Sequence, residues 1–162
     1  MGQGYSTLGF VVIVVLYAVI GLMAAAGVIC MARRFFAPKA EQVFYAMFLI
    51  MIAGFYLAFV AYFGIATAWR METAAVVVFA AFGLLGTRLP VALIVGYPLH
   101  GLWDLLHELQ AHGAYSAWEP GQLTAIPLGY GVFCLAFDFC AAAYFFTRRA
   151  QWSAATGESR AA

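Results

Sequence analysis

Charge is what this chain has least of. Only 9% of its 162 residues are Asp, Glu, Lys or Arg, where a soluble domain carries about a quarter. A surface so poor in charge excludes the ordinary water-soluble class. With 66% hydrophobic residues and a mean hydropathy of +0.93, the composition indicates a polytopic membrane protein. Net charge is +1, and no basic patch is large enough for nucleic acid, so that partner is excluded. The three cysteines (Cys30, Cys134 and Cys140) lie in apolar runs without disulfide or zinc-finger spacing. Cys30 and Cys140 read as small buried hydrophobes. Three histidines are too few for a membrane di-iron oxygenase. No second helix offers a histidine for bis-histidine haem, and no H-E-x-x-H zincin motif occurs. No Lys or Arg precedes Leu8, so the first apolar run lacks the basic start of a signal peptide and reads as an uncleaved span.

The chain does have long apolar runs. A helix needs about 20 residues to cross the bilayer core. The pattern predicts an all-α polytopic bundle of five transmembrane helices, at about 8–32, 42–69, 74–87, 91–109 and 124–147. Residues 1–150 then form one transmembrane domain, and 151–162 a disordered cytoplasmic tail. Arg33 to Glu41 reads as a basic loop, with Pro38 suited to opening the second helix. Arg70 to Thr73 reads as a tight turn. Arg33, Arg34, Lys39, Arg88, Arg148, Arg149 and Arg160 fall on one side and Arg70 alone on the other. The positive-inside rule makes this N-out/C-in. Arginine in place of lysine and abundant alanine suggest a GC-rich bacterial genome, hence a multi-pass protein of the bacterial inner membrane.

One stretch breaks the apolar pattern, Tyr97 to Leu109, reading Y-P-L-H-G-L-W-D-L-L-H-E-L. At about 100° per residue, His100, Asp104 and His107 share an arc of roughly 60°. Trp103 and Glu108 flank them. Pro98 removes a backbone bond beside His100, and Gly101 permits close approach. An ionisable residue inside a membrane segment marks a functional site by default. The fifth span returns with Tyr130, Cys134 and Asp138 on one face. A short connection makes the two spans antiparallel neighbours. Counted from the outer end, Cys134 comes level with His100, Tyr130 with Asp104, and Asp138 about one turn deeper.

The candidate catalytic residues are therefore His100, Asp104, His107 and Asp138. His100, Asp104 and His107 are the candidate ligands of one divalent metal ion. Trp103, Glu108, Tyr130 and Cys134 line a candidate substrate pocket. Imidazole and carboxylate suit divalent metals, and an open position can activate water. The first and last histidines lie about 10 Å apart along the helix, so two would bind while the third orients or moves protons. The blander alternatives are a solvated helix end at His107 and Glu108, and a His100–Asp138 pair that only locks packing. Polar contacts in membranes average about 0.6 kcal/mol, little return for burying two ionisable groups.

Leu99-His100-x-x-Trp103-Asp104-x-x-His107 resembles the most recognisable segment of a family of small bacterial integral-membrane proteins of unknown function. Cys134 and Asp138 match the cysteine and acid that such proteins place in the following span. The resemblance covers the last third of the chain and departs at Glu108, where a second adjacent histidine is expected. It supports the choice of residues and implies no reaction.

The first expectation is an enzyme acting on a lipid, isoprenoid or other apolar small-molecule substrate, through a site open to the outside like a cup. The second is a small permease or a proton or metal relay. Against it, the sequence shows no internal repeat, and the cytoplasmic halves of spans four and five are nearly devoid of polar groups. The third is an accessory subunit of a membrane complex. Membrane lipids are the expected partners, and a homo-oligomer stays open.

Overall fold

The computed structural model describes residues 7–111 and 117–161. It is all-helical: α1 (Thr7–Phe35), α2 (Pro38–Phe63), a 3-10 turn (Ala66–Ala68), α3 (Trp69–Gly86), α4 (Pro90–Ala111) and α5 (Tyr130–Ala161). Four segments are long and apolar enough to cross a membrane: α1, α2, the 3-10 turn with α3, and α5 to Ala155. Helices are forced on such sequences, because lipid offers backbone amides no other partner. Large apolar side chains on α1, among them Val12, Met23 and Met31, stay exposed, as a lipid-facing helix requires. The fourth helix is not among the four. It turns its polar residues, His100, Asp104, His107 and Glu108, into the bundle, where all are buried.

Helix ends differ from the sequence reading in five places. The Arg33–Glu41 loop shrinks to two residues, because α1 runs to Phe35 and Pro38 opens α2. That second helix stops at Phe63, six residues before the expected Trp69. Gly64 takes φ 68° there, and its N–H bonds the Val60 carbonyl, a left-handed cap that glycine alone adopts without strain. Arg70 to Thr73 is consequently the first turn of α3 rather than a loop, and it buries Glu72. The fifth helix starts at Tyr130, not at Thr124, and it does not stop at Arg149. It runs as helix to Ala161 where a disordered tail was expected. Trp152 explains the extension: it is fully buried, and its indole N–H donates to Glu41 Oε2 at 3.0 Å.

The most extensive helix pair is α4 against α5, followed by α2 against α3 and α1 against α5. The core runs through Tyr45, Leu49, Leu93, Tyr97, Phe145 and Trp152. Phe145 lies 4.6 Å from Tyr45 and 4.8 Å from Tyr97, ring centre to ring centre. One end of the bundle is tied by Glu41. It accepts from Arg148 Nη2 at 2.8 Å, from Trp152 and from the Tyr144 hydroxyl. Lys39 and Gln42 close the same end by donating to the carbonyls of Thr87 and Gly86 at 2.5 and 2.7 Å.

Two glycines set how closely α4 and α5 approach. A Cβ on Gly101 would lie 3.1 Å from both Asp138 Cβ and Leu135 Cα. One on Gly131 would strike the Asp104 carbonyl and come within 2.7 Å of Glu108 Cβ. Gly131→Ala should therefore lower stability by about 1–3 kcal/mol, as overpacking does. Gly27 has nothing within 4 Å of its Cβ position, and Gly27→Ala should leave stability equal or slightly higher. Thermal denaturation of both variants in detergent checks this. Equal effects at the two sites would contradict the tight α4–α5 seam.

Candidate metal centre

The site begins with the Gly101–Asp138 contact. It carries Asp138 across to His100, whose Nδ1 lies 2.9 Å from Asp138 Oδ2. On its own helix the same nitrogen lies 3.0 Å from Asp104 Oδ2, one turn away. The Tyr56 hydroxyl, from α2, donates to the other Asp104 oxygen. Phe79, from α3, sets its ring edge-on to His100 at 5.0 Å. Four helices thus enclose three side chains that could hold a metal ion. One ligand atom from each of His100, Asp104 and Asp138 lies within 4.8 Å of the others. His100 and Asp104 are wholly buried and Asp138 is 1% exposed.

The balance of donors and acceptors is uneven. The imidazole N–H on Nδ1 faces two carboxylates and cannot fully satisfy both. Asp104 Oδ2, Asp138 Oδ1 and His100 Nε2 have no hydrogen-bond partner. Buried polar atoms are almost always paired, so a surplus of acceptors marks a place suited to a positive charge. Two carboxylates and an imidazole are hard-to-borderline donors that suit a divalent cation. A divalent cation would also bring the two carboxylates to a formal net charge of zero, which matters where a lone charge is costly. The residues present therefore fit such an ion.

The other sequence-predicted residues have different places. His107 does not join the triad. Its Nδ1 donates to the Trp103 carbonyl at 2.9 Å, and its Nε2 meets Glu72 Oε1 at 2.8 Å. A carbonyl only accepts, so the hydrogen on Nδ1 is assigned, and Nε2 shares its proton with Glu72. The Thr124 amide donates to the same Glu72 oxygen at 2.8 Å. Glu108, expected in the pocket, instead holds the start of α5. Its two oxygens accept from the Gly129 and Gly131 amides at 2.9 and 3.0 Å, a carboxylate at a helix N-terminus. Cys134 is buried beside Asp104 and the half-buried Tyr130. Trp103 stacks edge-on with His107 and with Trp118 from the connecting segment, at 5.1 and 5.4 Å. His112 lies outside the described residues.

Asp138 sits level with His100, not one turn deeper. The depth count assumed helix from Thr124, whereas residues 124–127 are non-helical and the fifth helix begins later. Nor does the triad open like a cup, since its three side chains are almost fully covered. Sequence reasoning missed Glu72, Tyr56 and Glu41, which come from α2 and α3. For Glu41 and Glu72 the signal was scarcity: the chain has only seven acidic residues, and both are buried, like Asp104, Glu108 and Asp138.

The stretch between the triad and the basic end is also more polar than spans four and five suggest. Tyr97 donates to the Tyr45 carbonyl at 2.8 Å. The Tyr45 hydroxyl is buried without a partner, and Tyr144 reaches Glu41. No protein-family model, curated protein or solved structure matches this chain.

The Glu72–His107 pair yields a direct expectation. Glu72→Ala and His107→Ala should each lower stability by about 3–5 kcal/mol, because each strands a buried polar partner. The double variant should lose far less than the sum. A double-mutant cycle by thermal denaturation checks this, and additivity within about 0.5 kcal/mol would show that the pair is not coupled.

Proposed function

We propose that this chain is a five-span membrane enzyme that holds one divalent cation at His100, Asp104 and Asp138 and acts on a lipid or other apolar substrate. The observation that carries this reading is the triad itself, buried, converging and oversupplied with acceptors. Three protein ligands leave a position for water or substrate, the pattern of catalytic rather than structural sites. The cation, when bound, supplies Lewis-acid polarisation of a substrate oxygen. Tyr56 fixes Asp104 through its hydroxyl hydrogen bond. Phe79 and Tyr56 wall the imidazole and exclude water. Residues 117–129 border the Glu72–His107 side of the site, Trp118 against Trp103 and the Thr124 amide on Glu72.

The orientation N-out/C-in follows from the basic residues. Arg33, Arg34, Lys39, Arg88, Arg148 and Arg149 gather at the end tied by Glu41, and Arg70 stands at the other. By the positive-inside rule the former end is cytoplasmic, and the arginine-rich composition favours a bacterial inner membrane. The resemblance of the His100–His107 segment to small bacterial membrane proteins is consistent with that placement.

One observation favours a second reading, a proton or cation relay. Polar side chains run through the whole bundle: Glu72 and His107, then Tyr56, Asp104, His100 and Asp138, then Tyr97, Tyr45 and the Tyr144–Glu41 pair. The two readings separate on measurement. Elemental mass spectrometry of purified protein should find about one divalent metal per chain, a stoichiometry set by the one triad. His100→Ala and Asp138→Ala should lose it, and Cys30→Ser should keep it. A metal-free wild type that moves protons in sealed liposomes would favour the relay and contradict the metal enzyme.

A further inference from the structure

The turn between α1 and α2 carries a second feature, remote from the triad. A cleft of about 290 Å³ is lined by Val28, Met31, Ala32, Phe35, Phe36 and Phe44. Val28, Met31, Ala32 and Phe35 fall on one stripe of α1, spaced i, i+3, i+4 and i+7. Phe36 stacks on Phe44 at 5.2 Å and forms the wall toward α2. The cleft is lined by apolar side chains alone. It lies at the basic end of the bundle, where the apolar run stops.

Two arginines stand at that stop. Arg33 and Arg34 are exposed, and neither has a carboxylate partner among the described residues. Arg34 lies roughly 60° around the helix from Met31, whereas Arg33 lies on the face of α1 away from the cleft, toward Tyr144. Long arginine side chains extend toward the membrane surface while their stems stay in apolar surroundings. The acid that shares this end, Glu41, is wholly buried and already engaged by Arg148, Trp152 and Tyr144. No described acid therefore neutralises the arginine pair. An apolar cleft bordered by Arg34, a guanidinium with no acid partner among the described residues, is complementary to a molecule with a long hydrocarbon tail and an anionic phosphate head. Guanidinium matches phosphate by bidentate hydrogen bonds, and basic pockets between helices on the cytoplasmic side hold anionic headgroups.

We propose that the α1–α2 turn is a binding site for a phospholipid with a net negative headgroup. One acyl chain lies along Val28, Met31, Ala32 and Phe35, and the phosphate lies against Arg34. The site is independent of the metal centre and of any reaction there.

Native mass spectrometry of the full chain tests this with phosphatidylglycerol and phosphatidylcholine of identical acyl chains. Phosphatidylglycerol should be retained more tightly, by about fivefold, since one basic residue near the surface contributes about 1 kcal/mol to anionic-lipid binding. Arg34→Gln should abolish that preference and Arg33→Gln should leave it in place, both with thermal stability intact, because both side chains are exposed. Met31→Trp, which fills the cleft from its exposed side, should weaken both lipids. Equal retention of the two lipids, or a preference that survives Arg34→Gln, would overturn the assignment. So would a Met31→Cys variant that crosslinks into a dimer without retained lipid, since the cleft would then belong to a second copy of the chain.

Discussion

Everything distinctive in this protein depends on how closely α4 and α5 can approach. Gly101 and Gly131 remove the side chains that would hold the helices apart. The backbones close, and Asp138 arrives at His100. Glu108 then reaches the first amides of α5 and holds the register from the other side. Small residues have this role in membranes because lipid gives no hydrophobic drive for helices to associate, so tight packing must do it. Had the two helices sat a methyl group further apart, the imidazole would face one carboxylate rather than two.

The second constraint is electrostatic. An acid in the bilayer interior is tolerated when it is paired or functional, and five acids are buried here. Three have clear structural partners: Glu41 with Arg148, Glu72 with His107, and Glu108 with backbone amides. The remaining two, Asp104 and Asp138, share a single imidazole nitrogen; each keeps an unpartnered oxygen, as Glu72 does at Oε2. What separates the triad is therefore the sharing: two carboxylates meet one imidazole, where Glu72 has His107 to itself. An acid with its own partner locks packing, whereas two acids on one imidazole ask for a cation or further protons. The same logic applies at the basic end, where Arg148 is satisfied by Glu41 and Arg33 and Arg34 are not matched by any described acid.

Much of the helical organisation was legible in the residues. Apolar runs announced the long helices, Pro38 announced the start of α2, and the period of His100, Asp104 and Asp138 placed them on facing stripes. What the sequence concealed was long-range and geometric. His107 lies on the same stripe as His100, and only the position of α3 shows that Glu72 takes it away. Tyr56 looked like one aromatic among many in an apolar span, and its partner lies 48 positions further along. The register between α4 and α5 was misjudged because Thr124 to Pro127 are apolar enough to pass for helix while forming none. The tail is polar in composition, yet Trp152 packs on Glu41 from a helix that continues past Arg149. Local pattern reports which face a residue occupies. Which partner it finds is decided by helices distant in sequence.

The central claim is that a divalent cation is held by one imidazole and two carboxylates at the α4–α5 seam. X-ray absorption spectroscopy on the full chain loaded with Zn²⁺ tests it most directly. The account predicts a shell of nitrogen and oxygen only, with the outer scattering of a single imidazole, and no zinc retained by His100→Ala. A sulfur shell would put Cys134 on the metal, and two imidazoles would put His107 there. Either result would contradict the His100–Asp104–Asp138 centre.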